Sequence, residues 1–178
     1  MKTNKLVLSA LFLAIGILLP FMTMQIPSIG NMLLPMHIPV ILCGFICGGP
    51  CGIIVGFILP LLRSVLFGMP PLIPTAVAMS FELATYGYLS GIVYQKLAGK
   101  LFASYISLIV AMIAGRVVWG IVSFGLYSLL GNPFTWKLFA MQAIVNAVPG
   151  IILQLVLIPA LVTSLKFAGA KRYLAKNI

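Results

Sequence analysis

The chain has 178 residues, 62% of them hydrophobic and only 7% charged, with a mean hydropathy of +1.22. A water-soluble domain needs a far more polar surface, so this composition describes a single integral membrane domain over residues 1–178. Eleven Lys and Arg face one acid, Glu82; without a basic stripe or an aromatic platform, the excess argues for anionic lipid and topology and against nucleic acid.

A hydrocarbon layer of roughly 30 Å takes about 20 helical residues. On that ruler six spans are expected, at about residues 6–24, 37–47, 51–67, 73–94, 102–130 and 138–167. Lys2 and Lys5 precede the first apolar run much as they would in a signal peptide. No small-x-small cleavage site follows, so the run reads as a retained first span. Within it Ala10 and Ala14 lie one turn apart with Gly16 close by, a spacing that lets another helix approach closely, either a partner's or one of this chain's own.

The connection over residues 25–36 holds Pro27, Gly30, Asn31 and Pro35, and reads as a long outer loop able to serve as a lid. The second span is short, which implies shielding by neighbouring protein. It ends at a tight break, Gly48-Gly49-Pro50, around which Gly44, Gly48, Gly52 and Gly56 recur at every fourth position. Cys43, Cys47 and Cys51 follow the same interval. Metal-binding sets usually come as closer pairs or with His, so small apolar packing residues are the simpler reading, and metal or redox chemistry the alternative. Gly68-Met69-Pro70-Pro71 and Gly131-Asn132-Pro133 are further turn-rich outer loops, and residues 95–101 form a short basic linker.

Counting basic residues orients the chain. With the N-terminus cytoplasmic, the inner side carries Lys2, Lys5, Lys96, Lys100, Lys166, Lys171, Arg172 and Lys176, while the outer loops carry Lys137. Both termini are therefore expected inside, as an even number of spans also requires.

Arg63, Glu82 and Arg116 are ionisable residues inside spans. Such groups are costly in hydrocarbon unless paired or wet, which makes each a candidate functional residue. At 1.5 Å per residue Arg63 lies roughly 6 Å below the outer end of its span, while Glu82 and Arg116 reach similar depths near mid-membrane and are able to meet. Two readings stand side by side. In one, Glu82 and Arg116 form a structural ion pair and Arg63 snorkels outward. In the other, the surplus of Arg binds an anionic group of a substrate entering from outside.

Further polar groups gather in the outer halves of the last spans or in the outer loops: Asn31, His37, Tyr127, Trp136, Gln142 and Asn146. Gln142 and Asn146 are four apart and share a helix face, where amides need partners from another helix or from a ligand. His37 reads either as a helix-start residue at the interface or as a ligand contact. Trp119 and Tyr86 are able to stack on a substrate or simply to pack. There is no Walker sequence, since Gly99-Lys100 runs into Leu101, and no HExxH or GxSxG motif. One acid and one His leave little for acid–base catalysis or proton coupling. The chain reads as a binding protein that takes its energy from a partner, with no cofactor and no bound metal.

With Ala10-x-x-x-Ala14 in the first span, six expected spans, both termini inside, the Gly-Pro turn at 48–52 and the stretch GMPPLIPTAVAMSFELATYGYLSG at 68–91, the sequence resembles the substrate-binding S components of energy-coupling factor (ECF) vitamin transporters. The resemblance covers nearly the whole chain. It implies an all-α, six-span membrane protein of the bacterial plasma membrane that works with a transmembrane coupling subunit and two ATPase subunits. Ala10 and Ala14 would contact the coupling subunit, and the protein would topple in the membrane to release its cargo inside. It also implies a ligand held near the outer face by the last three helices beneath the first and third outer loops. Carried onto this chain, that selects Glu82, Tyr86, Arg116, Trp119, Gln142 and Asn146, with Asn31 and His37. The surplus of Arg favours an anionic vitamin, with pantothenate the first choice and pyridoxine, a thiamine precursor and cobalamin the others. The alternative is an autonomous small-solute permease or channel; an intramembrane enzyme is disfavoured by the shortage of acids, bases and metal ligands.

Overall fold

The computed structural model describes residues 3–23, 34–100, 102–131, 135, 141 and 147–165. Among these residues the regular structure is helical throughout. Helix α1 covers Thr3–Leu18 and continues as a 3-10 turn over Leu19–Thr23; α2 is His37–Cys47 and α3 is Gly49–Phe67. A π-helical turn at Leu72–Ala76 leads into α4, Val77–Lys96, followed by α5, Ala103–Leu129, and α6, Val148–Leu165. By length and composition Thr3–Phe21, Gly49–Phe67 and Ala103–Leu129 are able to cross a membrane, and His37–Cys47 and Val148–Ser164 are shorter apolar helices.

Helix α4 falls outside both groups for a physical reason. It carries Ser80, Glu82, Thr85, Tyr86, Tyr88 and Ser90, too polar a set for a lipid-facing helix. The fold encloses it instead, with α2, α3 and α5 packed around it. Its hydroxyls are kept from facing hydrocarbon unpaired by bonding back one turn: Ser80 Oγ donates to the Ala76 carbonyl at 2.7 Å and Thr85 Oγ1 to Phe81 at 2.8 Å. Ser9 on α1 and Ser107 on α5 do the same to Lys5 and Ala103, the local bonding that makes Ser and Thr tolerable inside apolar helices.

Glycine sets the distances between α2, α3 and α4. Gly48 separates α2 from α3 with φ 96°, a backbone conformation L side chains rarely adopt, and Pro50 follows in the first turn of α3, where a missing N–H costs nothing. Gly52 and Gly87 then lie back to back: a Cβ added to either would stand 2.5 Å from the other's carbonyl carbon. One turn away, Gly56 meets the Leu83 backbone, and at the opposite end Gly91 meets Gly49 and Gly44. This is the close approach that small residues at every fourth position permit between membrane helices.

The pairings also fix direction. The His37 ring packs against that of Tyr86, Ser90 Oγ reaches the Ile41 carbonyl at 3.5 Å, and Phe45 meets Tyr94. The constant offset of 49 residues in these pairs makes α2 and α4 parallel. Helix α3 runs antiparallel to α4, as the pairs Gly52–Gly87 and Gly56–Leu83 require. On α1, Ser9 meets Cys43 of α2 while Ile17 and Phe21 meet Arg63 and Phe67 of α3, so α1 is antiparallel to α2 and parallel to α3. Helix α6 packs against α2 and α5, and its Ile158 and Val162 join the main core with Ile41, Phe45, Leu59 and Leu83. The three cysteines are buried in that core and form no disulfide, with Cys43 Sγ 3.8 Å from Ser9 Oγ.

Candidate functional site

On the side of α4 away from the glycine contacts, Ala78, Glu82 and Tyr86 form a stripe of successive turns. Helix α5 answers it residue by residue. Trp119 packs on Ala78, Arg116 pairs with Glu82, and Gly115 leaves room for the Tyr86 ring, which would collide with any Cβ there. The chemistry of the site therefore lies in the α4–α5 seam, with α2 closing it from a third side.

Glu82 is 1% exposed, and its Oε1 receives two cations or potential cations: Arg116 Nη1 at 3.0 Å and His37 Nε2 at 3.6 Å. The Tyr86 side chain, one turn on, also interacts with the carboxylate. His37 is the first residue of α2, yet it is 1% exposed and its ring lies 5.1 Å from that of Tyr86. Helix start and buried contact are thus both true of it. A buried carboxylate is tolerable only with compensating charge, and here Arg116 supplies it.

The compensation is incomplete. Arg116 Nε and Nη2 and His37 Nδ1 are buried without a hydrogen-bond partner, while Glu82 Oε1 and His37 Nε2 have the ion contacts just described. Each such group costs about 1–3 kcal/mol relative to a satisfied one. Ser80 and Ser107 bond carbonyls of their own helices, and among the described residues the deficit is confined to this cluster and to one further residue. That residue is Gln154 on α6, fully buried with both amide atoms unpartnered. Sequence reasoning passed over Gln154. The signal was available, since it is a lone amide in the apolar run Ile151–Ala160.

The other candidates lie as follows. Trp119 is buried one turn from Arg116 and packs on Ala78. Arg63 is elsewhere: its Nη1 donates to the Ile17 carbonyl at 2.7 Å and its guanidinium sits 5.3 and 5.5 Å from the Phe21 and Phe67 rings. At 4% exposure it does not snorkel outward; it ties the end of α1 to α3. Asn31, Gln142 and Asn146 lie outside the described residues, as do Trp136 and Lys137.

Ala10 and Ala14 face outward, in a strip with Val7, Leu11 and Leu18 that runs along one side of α1. Ser9, Phe12 and Gly16 form the opposite, inward side. Packing among the described residues therefore does not account for the two alanines.

No curated protein and no solved structure matches this chain. A family model described as "ECF transporter, substrate-specific component" matches residues 4–165, which takes in the buried cluster and the outward alanines. By that match the chain belongs to the family of substrate-specific components of ECF transporters.

Proposed function

We propose that the chain captures a water-soluble vitamin or vitamin precursor at the outer face of the bacterial plasma membrane and delivers it inward with an ATP-driven coupling module. The observation that carries this reading is the buried, incompletely satisfied cluster of His37, Glu82 and Arg116 inside a member of a substrate-specific transporter family. Polar atoms held without partners at membrane depth are expensive, and a ligand would repay that expense on binding. Six spans with both termini cytoplasmic complete the proposed topology.

Pantothenate is the first choice of cargo. Arg116 spends one amino group on Glu82 and keeps the rest of a guanidinium, a group suited to a carboxylate. Pyridoxine, a thiamine precursor and cobalamin are the other candidates. Tyr86 and Trp119 would wall the ligand, and Asn31, Gln142 and Asn146 would reach it from the outer side. Ala10 and Ala14 would meet the transmembrane coupling subunit, whose two ATPases supply the energy.

Co-reconstitution of the chain with a coupling subunit and two ATPases in vesicles tests this directly. The expected result is uptake of labelled pantothenate that requires both ATP and the coupling subunit. Uptake by the chain alone would instead establish an autonomous permease.

A further inference from the structure

The cysteine series plays no part in the binding seam, and the fold gives it a corner of its own. Cys43 and Cys47 lie one turn apart on α2, at the end away from His37, so their side chains leave one face of the helix. That face meets α1. Cys43 Sγ lies 3.8 Å from Ser9 Oγ, the Cys47 side chain also interacts with Ser9, and the two thiols interact with each other. Lys5, one turn before Ser9 on α1 and half-buried, is the cation that acts on Cys47. Two thiols, a hydroxyl and an ammonium therefore meet between α1 and α2.

These groups select the ion they suit. Thiolates are soft donors, fit for Cu(I), zinc or iron–sulfur clusters, and zinc and clusters take about four ligands. Among the described residues no three His, Cys, Asp or Glu side chains come together as a metal set. The chain's single acid and single His, Glu82 and His37, are engaged with each other at the far end of α2. A pair of thiolates on one helix face is what a soft monovalent ion in linear coordination requires. Charge agrees as well, since such an ion with two thiolates carries one net negative charge and Lys5 stands beside it with one positive charge. Cys47 closes α2 next to the Gly48 turn, so an ion reaches it close to the end of the bundle.

We propose that Cys43 and Cys47 form a two-thiolate site for a soft monovalent metal ion, Cu(I) by its chemistry, with Lys5 as the neutralising cation. On loading, both S–H bonds break, two Cu–S bonds form and two protons leave to water. The copper enters and stays as Cu(I), so no electron is transferred. Cys51, across the glycine break on α3, is not a ligand.

The test uses the full-length protein in nanodiscs, kept reduced with ascorbate, and Cu(I) held by a chromogenic chelator as the probe. Wild type is expected to take one Cu(I) per chain, read by the loss of chelator colour and by native mass spectrometry, and to melt at a higher temperature once loaded. Cys43→Ser and Cys47→Ser should each weaken binding by about a hundredfold or more, a larger loss than an outer-shell residue causes. Lys5→Met should weaken it by about tenfold, and Cys51→Ser should bind as wild type does. Where a serine variant melts below wild type before loading, the corresponding Cys→Ala variant, which brings no hydroxyl into the core, takes its place. A wild type that leaves the ion on the chelator overturns the proposal. So does a Cys43→Ser/Cys47→Ser double variant that binds as tightly as wild type. A loss in Cys51→Ser as large as that in Cys47→Ser also overturns it, because the ion would then be spread over all three thiols.

Discussion

Replacing Arg116 by Gln separates the structural and the ligand-binding roles of the ion pair. At 3.0 Å and an effective dielectric of about 20, the attraction between Arg116 and Glu82 is about 5 kcal/mol. Desolvation of a carboxylate that is 1% exposed offsets part of this. Removing the guanidinium nevertheless leaves the Glu82 carboxylate buried with only His37 and Tyr86 beside it, a loss of about 3 kcal/mol or more in ligand-free stability. The double variant Glu82→Gln/Arg116→Gln has no orphan charge and should recover most of that loss. Ligand affinity follows a different rule: if the guanidinium edge holds a carboxylate, both variants bind pantothenate about 2 kcal/mol more weakly, roughly thirtyfold. Denaturant unfolding and ligand titration in nanodiscs read the two effects separately. A double variant that recovers stability and binds as tightly as wild type would make the pair purely structural. An Arg116→Gln protein as stable as wild type would refute the electrostatic argument itself.

Gly52→Ala should lower stability by about 1–3 kcal/mol, because the new methyl meets Gly87 backbone and not a flexible side chain; an unchanged unfolding midpoint would mean the α3–α4 contact is looser than the structure has it. Ala10→Trp should abolish co-purification with the coupling subunit while pantothenate affinity stays within about twofold, since Ala10 faces outward and the indole would block close helix approach; loss of both would place the first helix in the binding site. Arg63→Ala should speed hydrogen exchange at the end of α1 by removing the bond to the Ile17 carbonyl, with exchange in α4 unaffected.

Much of this was legible because apolar sequence leaves few explanations for a polar residue. Depth alone, at 1.5 Å per residue, made Glu82 and Arg116 able to meet, and the structure pairs them. The break at Gly48-Gly49-Pro50 and the glycines at every fourth position were equally plain, the first because Gly48 takes a backbone that other residues disfavour and the second because such spacing lets helices approach closely. Residue counting could not tell which partner each glycine faces, and Gly87 and Gly91, which complete the contacts, went unremarked among the polar residues of α4. Depth also says nothing about rotation around a helix axis. Arg63 lies near the same end of the bundle as Glu82 but on another face, so it meets the end of α1 and the rings of Phe21 and Phe67. His37 was ambiguous for a related reason, because a helix start at an interface is ordinarily wet, and only the overlying Tyr86 and neighbouring Glu82 make it dry. Gln154 was hidden by its own simplicity: one uncharged residue changes an apolar run too little to register in hydropathy, although its amide is as hard to bury as any.

Native mass spectrometry of the protein released gently from its host membrane tests the central claim most directly. The account predicts one small molecule of vitamin size, carrying a carboxylate, bound per chain, together with a fraction of complexes that also contain a coupling subunit and two ATPases. A chain recovered with neither a ligand nor larger subunits, under conditions that preserve other transporter assemblies, would contradict it.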